Sequence, residues 1–138
     1  MGGYKWFADA LGACELFTAL LWDAREGADK AQILRERVWQ GDPAIAAGEW
    51  RHKSRDEIAS SGNVVNTLEA AIWCVAQASS FEEALILAVN LADDADTVGA
   101  VTGQLVGAIW GFSAIPERWL TPLAWREEII ELADRLTG

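Results

Sequence analysis

Between Val98 and Pro116 the chain contains no Asp, Glu, Lys or Arg, and directly ahead of this run stand Asp93, Asp94, Asp96 and Thr97. So long an uncharged stretch must be buried, whereas carboxylates at its mouth need water or a compensating charge. Its length is borderline for a membrane span. Gly99, Gly103, Gly107 and Gly111 punctuate it and an acidic segment fronts it, so it reads as a buried helix rather than a span, and no membrane association is expected. Glycines four residues apart form one stripe on a helix. Each costs roughly 1 kcal/mol against Ala in a helix interior, so the stripe predicts tight helix–helix packing in preference to ligand contact.

The remaining periodicity is helical almost throughout. Phe7, Leu11, Cys14, Thr18 and Leu21 step by three and four residues and predict one apolar helix face, interrupted at Gly27. Ile33, Leu34 and Val38 mark a second helix that Gly41 ends, and Asp42-Pro43 opens a short third one with Asp as its N-cap. Arg51 to Glu57 is of mixed charge and reads as an exposed connection, with His52 solvated inside it. After the break at 60–63, Val65, Leu68, Ile72, Val75 and Ala76 predict another amphipathic helix. Ser80 and Glu83 match a capping box, and the helix they start continues through Ala84, Leu87, Ala88 and Leu91. The uncharged helix then runs from Thr97 to Gly111, Ile115-Pro116 stops it, and Ile129, Leu132, Ala133 and Leu136 define a last amphipathic helix. No strand alternation is present, so the fold class is all-α: one compact helical domain over residues 1–138.

Composition narrows the function classes. Apolar residues make up 51% and charged residues 23% of 138 residues, which is globular and sufficient for one core. The net charge of −10, with no Lys/Arg cluster interleaved with aromatics, argues against nucleic-acid binding. The start of the chain shows no basic region followed by an apolar core, so no secretory signal is expected. Cys14 and Cys74 lie in helical apolar patterns and read as reduced core thiols, which points to a cytoplasmic setting. The eight tryptophans suit core and interface packing. No Ser/His/Asp or Cys/His set can be assembled around His52, the only histidine.

The acidic segment is where chemistry is expected. Carboxylate oxygens and a Thr hydroxyl are hard ligands, matched to Mg²⁺, Mn²⁺ or Ca²⁺. Asp94 and Asp96 also stand where a helix N-terminus favours acidic groups with or without a metal, so a plain cap and a cation site fit the spacing equally. A calcium-loop reading beginning at Asp94 fails, because its twelfth position, which needs a bidentate Glu, is Leu105.

Several ordered blocks carry a resemblance to a known family. They are 62–73 (Gly-Asn-Val-Val-Asn-Thr-Leu-Glu-Ala-Ala-Ile-Trp), 80–84, 88–91, 93–97 (Asp-Asp-Ala-Asp-Thr), 103–108 (Gly-Gln-Leu-Val-Gly-Ala) and 115–119 (Ile-Pro-Glu-Arg-Trp). In that order and spacing they resemble the ADP-ribosylglycohydrolases, including the dinitrogenase reductase-activating glycohydrolases. Residues 61–138 carry the match strongly and residues 1–60 weakly, as preceding helices. The resemblance implies an all-α fold that binds Mg²⁺ (or Mn²⁺) and hydrolyses the glycosidic bond joining ADP-ribose to proteins or small conjugates. Its Asp-x-Asp-Thr ligands map onto Asp94, Asp96 and Thr97; Asp93 falls where the family has Gly or Asp and is not counted as a ligand.

The departures are specific. The Gly-Asp-x-x-Gly helix and the Thr-Asp-Asp-Thr element of the family's N-terminal half have no counterpart here, so the chain resembles the C-terminal half alone. Asn63 and Asn66 stand where members often have Tyr and Asp. Three side-chain ligands leave the rest of an octahedral Mg²⁺ sphere to water, so weak metal binding and impaired catalysis are expected, with no catalytic residue assigned. Two functional readings follow: a glycohydrolase-like protein acting on ADP-ribose or an ADP-ribosylated substrate with groups supplied from elsewhere, or a non-catalytic helical binding or assembly module with a relic metal loop. Apolar surface uncovered by the missing half predicts a homo-oligomer, with a dimer the simplest form.

Overall fold

In a computed structural model that describes residues 2–39, 43–59, 63–91 and 93–138, the protein is all-α, and no strand occurs among those residues. Among the described residues eight α-helices follow in order: α1 (Gly2–Arg25), α2 (Lys30–Ile33), α3 (Pro43–Ala46), α4 (Val64–Gln77), α5 (Phe81–Val89), α6 (Ala95–Trp110), α7 (Glu117–Leu120) and α8 (Arg126–Thr137). Short 3₁₀ turns occur at Glu49–His52, Arg55–Glu57 and Phe112–Ala114. Among the described residues, no helix is long and apolar enough to cross a membrane.

Helix α4 is the centre, with α1, α5 and α6 packed around it. Every residue from Thr67 to Val75 is buried, so α4 is enclosed on all sides rather than along one stripe. Asn63 caps its start by accepting a hydrogen bond from the Val65 amide at 2.9 Å. At its other end the Lys30 ammonium donates to the Ala78 carbonyl at 2.6 Å, a cation set at the negative end of the helix dipole. One carboxylate, Glu69, is carried into this interior. Lys53 neutralises it with contacts of 2.7 and 2.8 Å, and Trp73 Nε1 holds Lys53 in place by donating to its carbonyl at 3.0 Å. The Arg51–Glu57 connection is therefore not simply exposed. It supplies the counter-charge that lets a Glu sit in the core. His52 is exposed, as its flanks predict.

Helix α6 buries Val98, Thr102, Leu105 and Val106. It begins two residues before Thr97 and ends at Gly111, whose φ of 79° only Gly adopts freely, so Gly111 rather than Ile115-Pro116 stops it. The glycine stripe does not meet another backbone. A Cβ on Gly99 would lie 3.3 Å from Val89 Cγ1, one on Gly103 3.9 Å from Leu85 Cδ2, and one on Gly107 would meet nothing within 4 Å. Side chains of α5, not a second backbone, face the small residues.

Four other expectations need correcting. The buried face of α1 is Ala13, Leu16, Leu20 and Ala24, whereas Phe7, Leu11, Cys14 and Thr18 of the predicted apolar face are exposed. The second helix is only four residues long and Val38 is fully exposed, because the chain turns at Leu34 and Arg37 is drawn back to Asp23 and to the Ile33 carbonyl. Cys14 is a surface thiol, and only Cys74 is in the core. At α5, Ser80 accepts from the Glu83 amide at 3.2 Å, but the Glu83 carboxylate turns to the amide and hydroxyl of Ser79, both at 2.7 Å, so the box is displaced by one residue. The expected Asp42 cap and the Gly41 stop lie outside the described residues. Among the tryptophans, Trp50 and Trp73 are buried, while Trp6, Trp22 and Trp125 are exposed.

Candidate functional site

The link between α5 and α6 is short, and its backbone fixes the acidic residues. Asn90 caps the C-terminus of α5, and Arg55 donates to the Asn90 carbonyl. Asp93 then adopts a φ of 53°, the left-handed region in which Gly, Asn and Asp are the residues tolerated. That backbone demand accounts for an Asp here without a ligand role. Asp94 follows at the N-cap position of α6, with φ −87° and ψ 60°.

A plain helix cap would have the Asp94 carboxylate accept from the first amides of α6. It makes no such bond. Instead Asp94 Oδ1 accepts from the Thr97 hydroxyl at 2.8 Å. The Asp96 carboxyl lies against that of Asp94. Hydrogen bonding with Asp94, then with the amides of Thr97 and of Asp96 itself, holds it below the usual carboxylate range. Two carboxyl groups in contact repel unless a proton or a cation stands between them. The structure thus gathers Asp94, Asp96 and Thr97 at one loop-to-helix junction, at the positive end of the α6 dipole.

As a donor set, two carboxylates and one hydroxyl are all hard oxygen, the chemistry that suits Mg²⁺ or Mn²⁺. They supply one side of a coordination sphere. Among the described residues, no group of three or more His, Cys, Asp or Glu side chains is gathered so as to hold a metal ion. Asp93, exposed and turned by its left-handed backbone, does not complete one.

Beside this junction opens a cleft of about 260 Å³ between α1, α4 and α6. It is lined by Ala13, Cys14, Phe17, Val64, Thr67, Leu68, Thr97 and Val101. Thr97 belongs to both features: its hydroxyl engages Asp94 and its side chain forms part of the cleft wall. Sequence reasoning missed the cleft because its walls come from three helices far apart in the chain. The only linear signal was that Val64, Thr67, Leu68 and Thr97 fall in the recognisable blocks. Asn63, where family members often have Tyr, uses its side-chain oxygen to cap α4.

Comparison with known proteins bears on the family and the fold. The model of the ADP-ribosylglycohydrolase family matches residues 8–138. The chain is 47% identical over 131 residues to the ADP-ribosylarginine hydrolase Tri1 of Pseudomonas putida (strain GB-1), covering 93% of this chain and 35% of that protein. It is 38% identical over 69 residues to the ADP-ribosyl-[dinitrogen reductase] glycohydrolase of Rhodospirillum rubrum, covering 50% of this chain and 24% of that one. A solved structure described as an ADP-ribosylglycohydrolase-related protein complex superposes with a TM-score of 0.71 at 41% identity, over 88% of this chain and 44% of the solved one. The chain therefore spans about a third of the length of its Pseudomonas relative. With the family model matched over nearly the whole chain and the same helical fold in the solved relative, the protein belongs to the ADP-ribosylglycohydrolase family.

Proposed function

We propose that this chain carries one side of a divalent-cation site, for Mg²⁺ or Mn²⁺, that serves hydrolysis of an ADP-ribosyl glycosidic bond, and that by itself it turns over little or no substrate. The observation that carries the reading is the Asp94 carboxylate. It stands at a helix N-cap and yet engages the Thr97 hydroxyl instead of the helix amides, with the Asp96 carboxyl against it. When bound, the ion would supply charge stabilisation and a positioned, acidified water.

The roles of the chain's own residues follow from their contacts. Thr97 orients Asp94 by donating to Oδ1. Asp94 first, and then the amides at the start of α6, hold the Asp96 carboxyl below the usual carboxylate range. Phe17, Val64, Leu68 and Val101 give the cleft beside the junction an apolar wall. The relatives named as ADP-ribosylarginine hydrolases suggest ADP-ribosyl-arginine as the substrate to try first.

Three side-chain donors leave half of an octahedral sphere unfilled by protein, and two-metal hydrolysis needs further carboxylates. Among the described residues no further carboxylates are gathered there, so those groups would be supplied from elsewhere. The same shortage of gathered ligands favours the second reading, a non-catalytic helical module whose acidic junction is a relic. The test is to incubate the purified chain with Mg²⁺ and ADP-ribosyl-arginine beside an Asp94→Ala/Asp96→Ala double variant. Both should release ADP-ribose at the background rate. Turnover by the parent chain that the double variant loses would overturn the proposed impairment and make the chain an enzyme in its own right.

A further inference from the structure

The link that carries the acidic junction is held at its two ends by different parts of the fold. At the α6 end the Val98 amide donates to the Asp94 carbonyl at 3.1 Å. At the α5 end the grip comes from outside both helices. Arg55, 35 positions back along the chain, donates from its guanidinium to the Asn90 carbonyl, a cation at the negative end of the α5 dipole. Arg55 is exposed, but the backbone that carries it is not free. On one side of it Lys53 is bound to the buried Glu69 carboxylate at 2.7 and 2.8 Å, and Trp73 Nε1 donates to the Lys53 carbonyl at 3.0 Å. Ser54 donates through its amide and its hydroxyl to Glu57 Oε2, both at 2.7 Å, and Ile58 is buried on the other side. An exposed side chain on a backbone tied to the core at both flanks is a fixed strut rather than a loose surface arginine.

We infer that Arg55 is a positioning residue for Asp94, Asp96 and Thr97: by holding the Asn90 carbonyl it sets where the link enters the junction. Asn90 stands four positions before Asp94, and between them Asp93 is in the left-handed region at φ 53°. A residue in that region stays there only while the surrounding structure fixes the chain on either side of it. With the α5 end released, the link has other routes to α6, and the Asp94 carboxylate loses the alignment that brings Oδ1 to the Thr97 hydroxyl at 2.8 Å. The consequence for a bound ion rests on the cation reading proposed above; the consequence for the backbone does not. Groups outside a coordination sphere that orient its ligands typically contribute about 10–100-fold to metal affinity.

The test pairs a metal-free readout with a metal titration. Amide hydrogen exchange is followed by NMR in EDTA, and Mg²⁺ is titrated into chelator-free samples at constant ionic strength. Arg55→Gln should speed exchange of the Val98 amide by about tenfold, the worth of one hydrogen bond to a charged group. It should leave Ala71 to Val75 of α4 as protected as in the parent. Its Mg²⁺ affinity should fall by about tenfold. Arg55→Lys, which keeps a cationic donor, should recover most of both. Asn90→Ala removes the bond from Asn90 Nδ2 to the Ile86 carbonyl, 2.7 Å, but keeps the carbonyl that Arg55 holds, so it should leave Val98 exchange and Mg²⁺ affinity as they are. Unchanged Val98 exchange in Arg55→Gln would overturn the inference. So would a disturbance confined to Val89 and Asn90, the mark of a plain helix cap, or an unchanged Mg²⁺ affinity where the parent binds the ion. A parent chain that does not respond to Mg²⁺ would sink the cation reading alone, and the metal-free exchange would still decide the role of Arg55.

Discussion

Alanine substitution along α6 separates a helix kept small by packing from one that is small for no packing reason. At Gly107 an added Cβ meets nothing within 4 Å, and at Gly103 the nearest atom, Leu85 Cδ2, lies at the ordinary contact distance of 3.9 Å. Neither residue has positive φ. Gly107→Ala should therefore gain the helix-propensity difference, about 1 kcal/mol, which for a domain of this size raises Tm by roughly 3–5 °C. Gly99→Ala should gain less, because Val89 Cγ1 at 3.3 Å has to yield by a few tenths of an ångström. Gly111→Ala should go the other way. Its φ of 79° and ψ of 172° lie in a region that is essentially reserved for Gly, at a cost of about 1–3 kcal/mol. Urea unfolding followed by circular dichroism gives all three values on one scale. The refuting result is a Gly107→Ala protein less stable than the parent, which would mean that a backbone does approach the stripe and that α6 is packed differently.

Two further expectations rest on titratable groups. Burial pushes the Cys74 thiol up to about 12, while Cys14 lies on the surface. A chromogenic disulfide reagent at pH 8 should therefore titrate one thiol in the folded chain and two after denaturation, and two fast thiols in the native state would contradict the packing of α4. Arg37 chiefly holds the Asp23 carboxyl below its usual value, and the Ser54 and Ser79 amides do the same for Glu57 and Glu83. Carboxylates with depressed folded values contribute stability that is fully present above their unfolded pKa, near 3.8 for Asp and 4.5 for Glu, and lost as pH falls through the lower folded values. Unfolding midpoints in urea should thus be level above pH 5 and decline below pH 4.5. An Arg37→Met variant should lose part of that acid dependence.

How much of this was legible in the sequence depended on how many ways a pattern could be satisfied. The uncharged run with acidic residues at its mouth has one solution, a buried helix with a charged N-terminus, and α6 forms with Asp94, Asp96 and Thr97 together at its start. Helix α1 had two solutions, because Phe7–Leu11–Cys14 and Ala13–Leu16–Leu20 are both apolar at helical spacing. Periodicity cannot choose between them. The partners available in the folded chain do, and they select the second. Likewise Val38 looked like the continuation of a helix, but Arg37 pairs with Asp23 and the chain turns away. The Lys53–Glu69 pair and the cleft at Thr97 were invisible for a different reason: each joins segments that no local spacing connects. The family blocks supplied what local physics could not, the identity of the fold.

The central claim, that the Asp94–Asp96–Thr97 junction is a cation site, is tested most directly by titrating Mg²⁺ into isotopically labelled chain and following the backbone amide resonances. Weak, saturable shifts confined to residues 94–98 and their neighbours are expected, with a dissociation constant of roughly millimolar order for so few protein ligands. The same titration of the Asp94→Ala/Asp96→Ala variant should leave those amides unmoved. Shifts that persist in the variant, or an α6 N-terminus that does not respond to Mg²⁺ at all, would contradict the account.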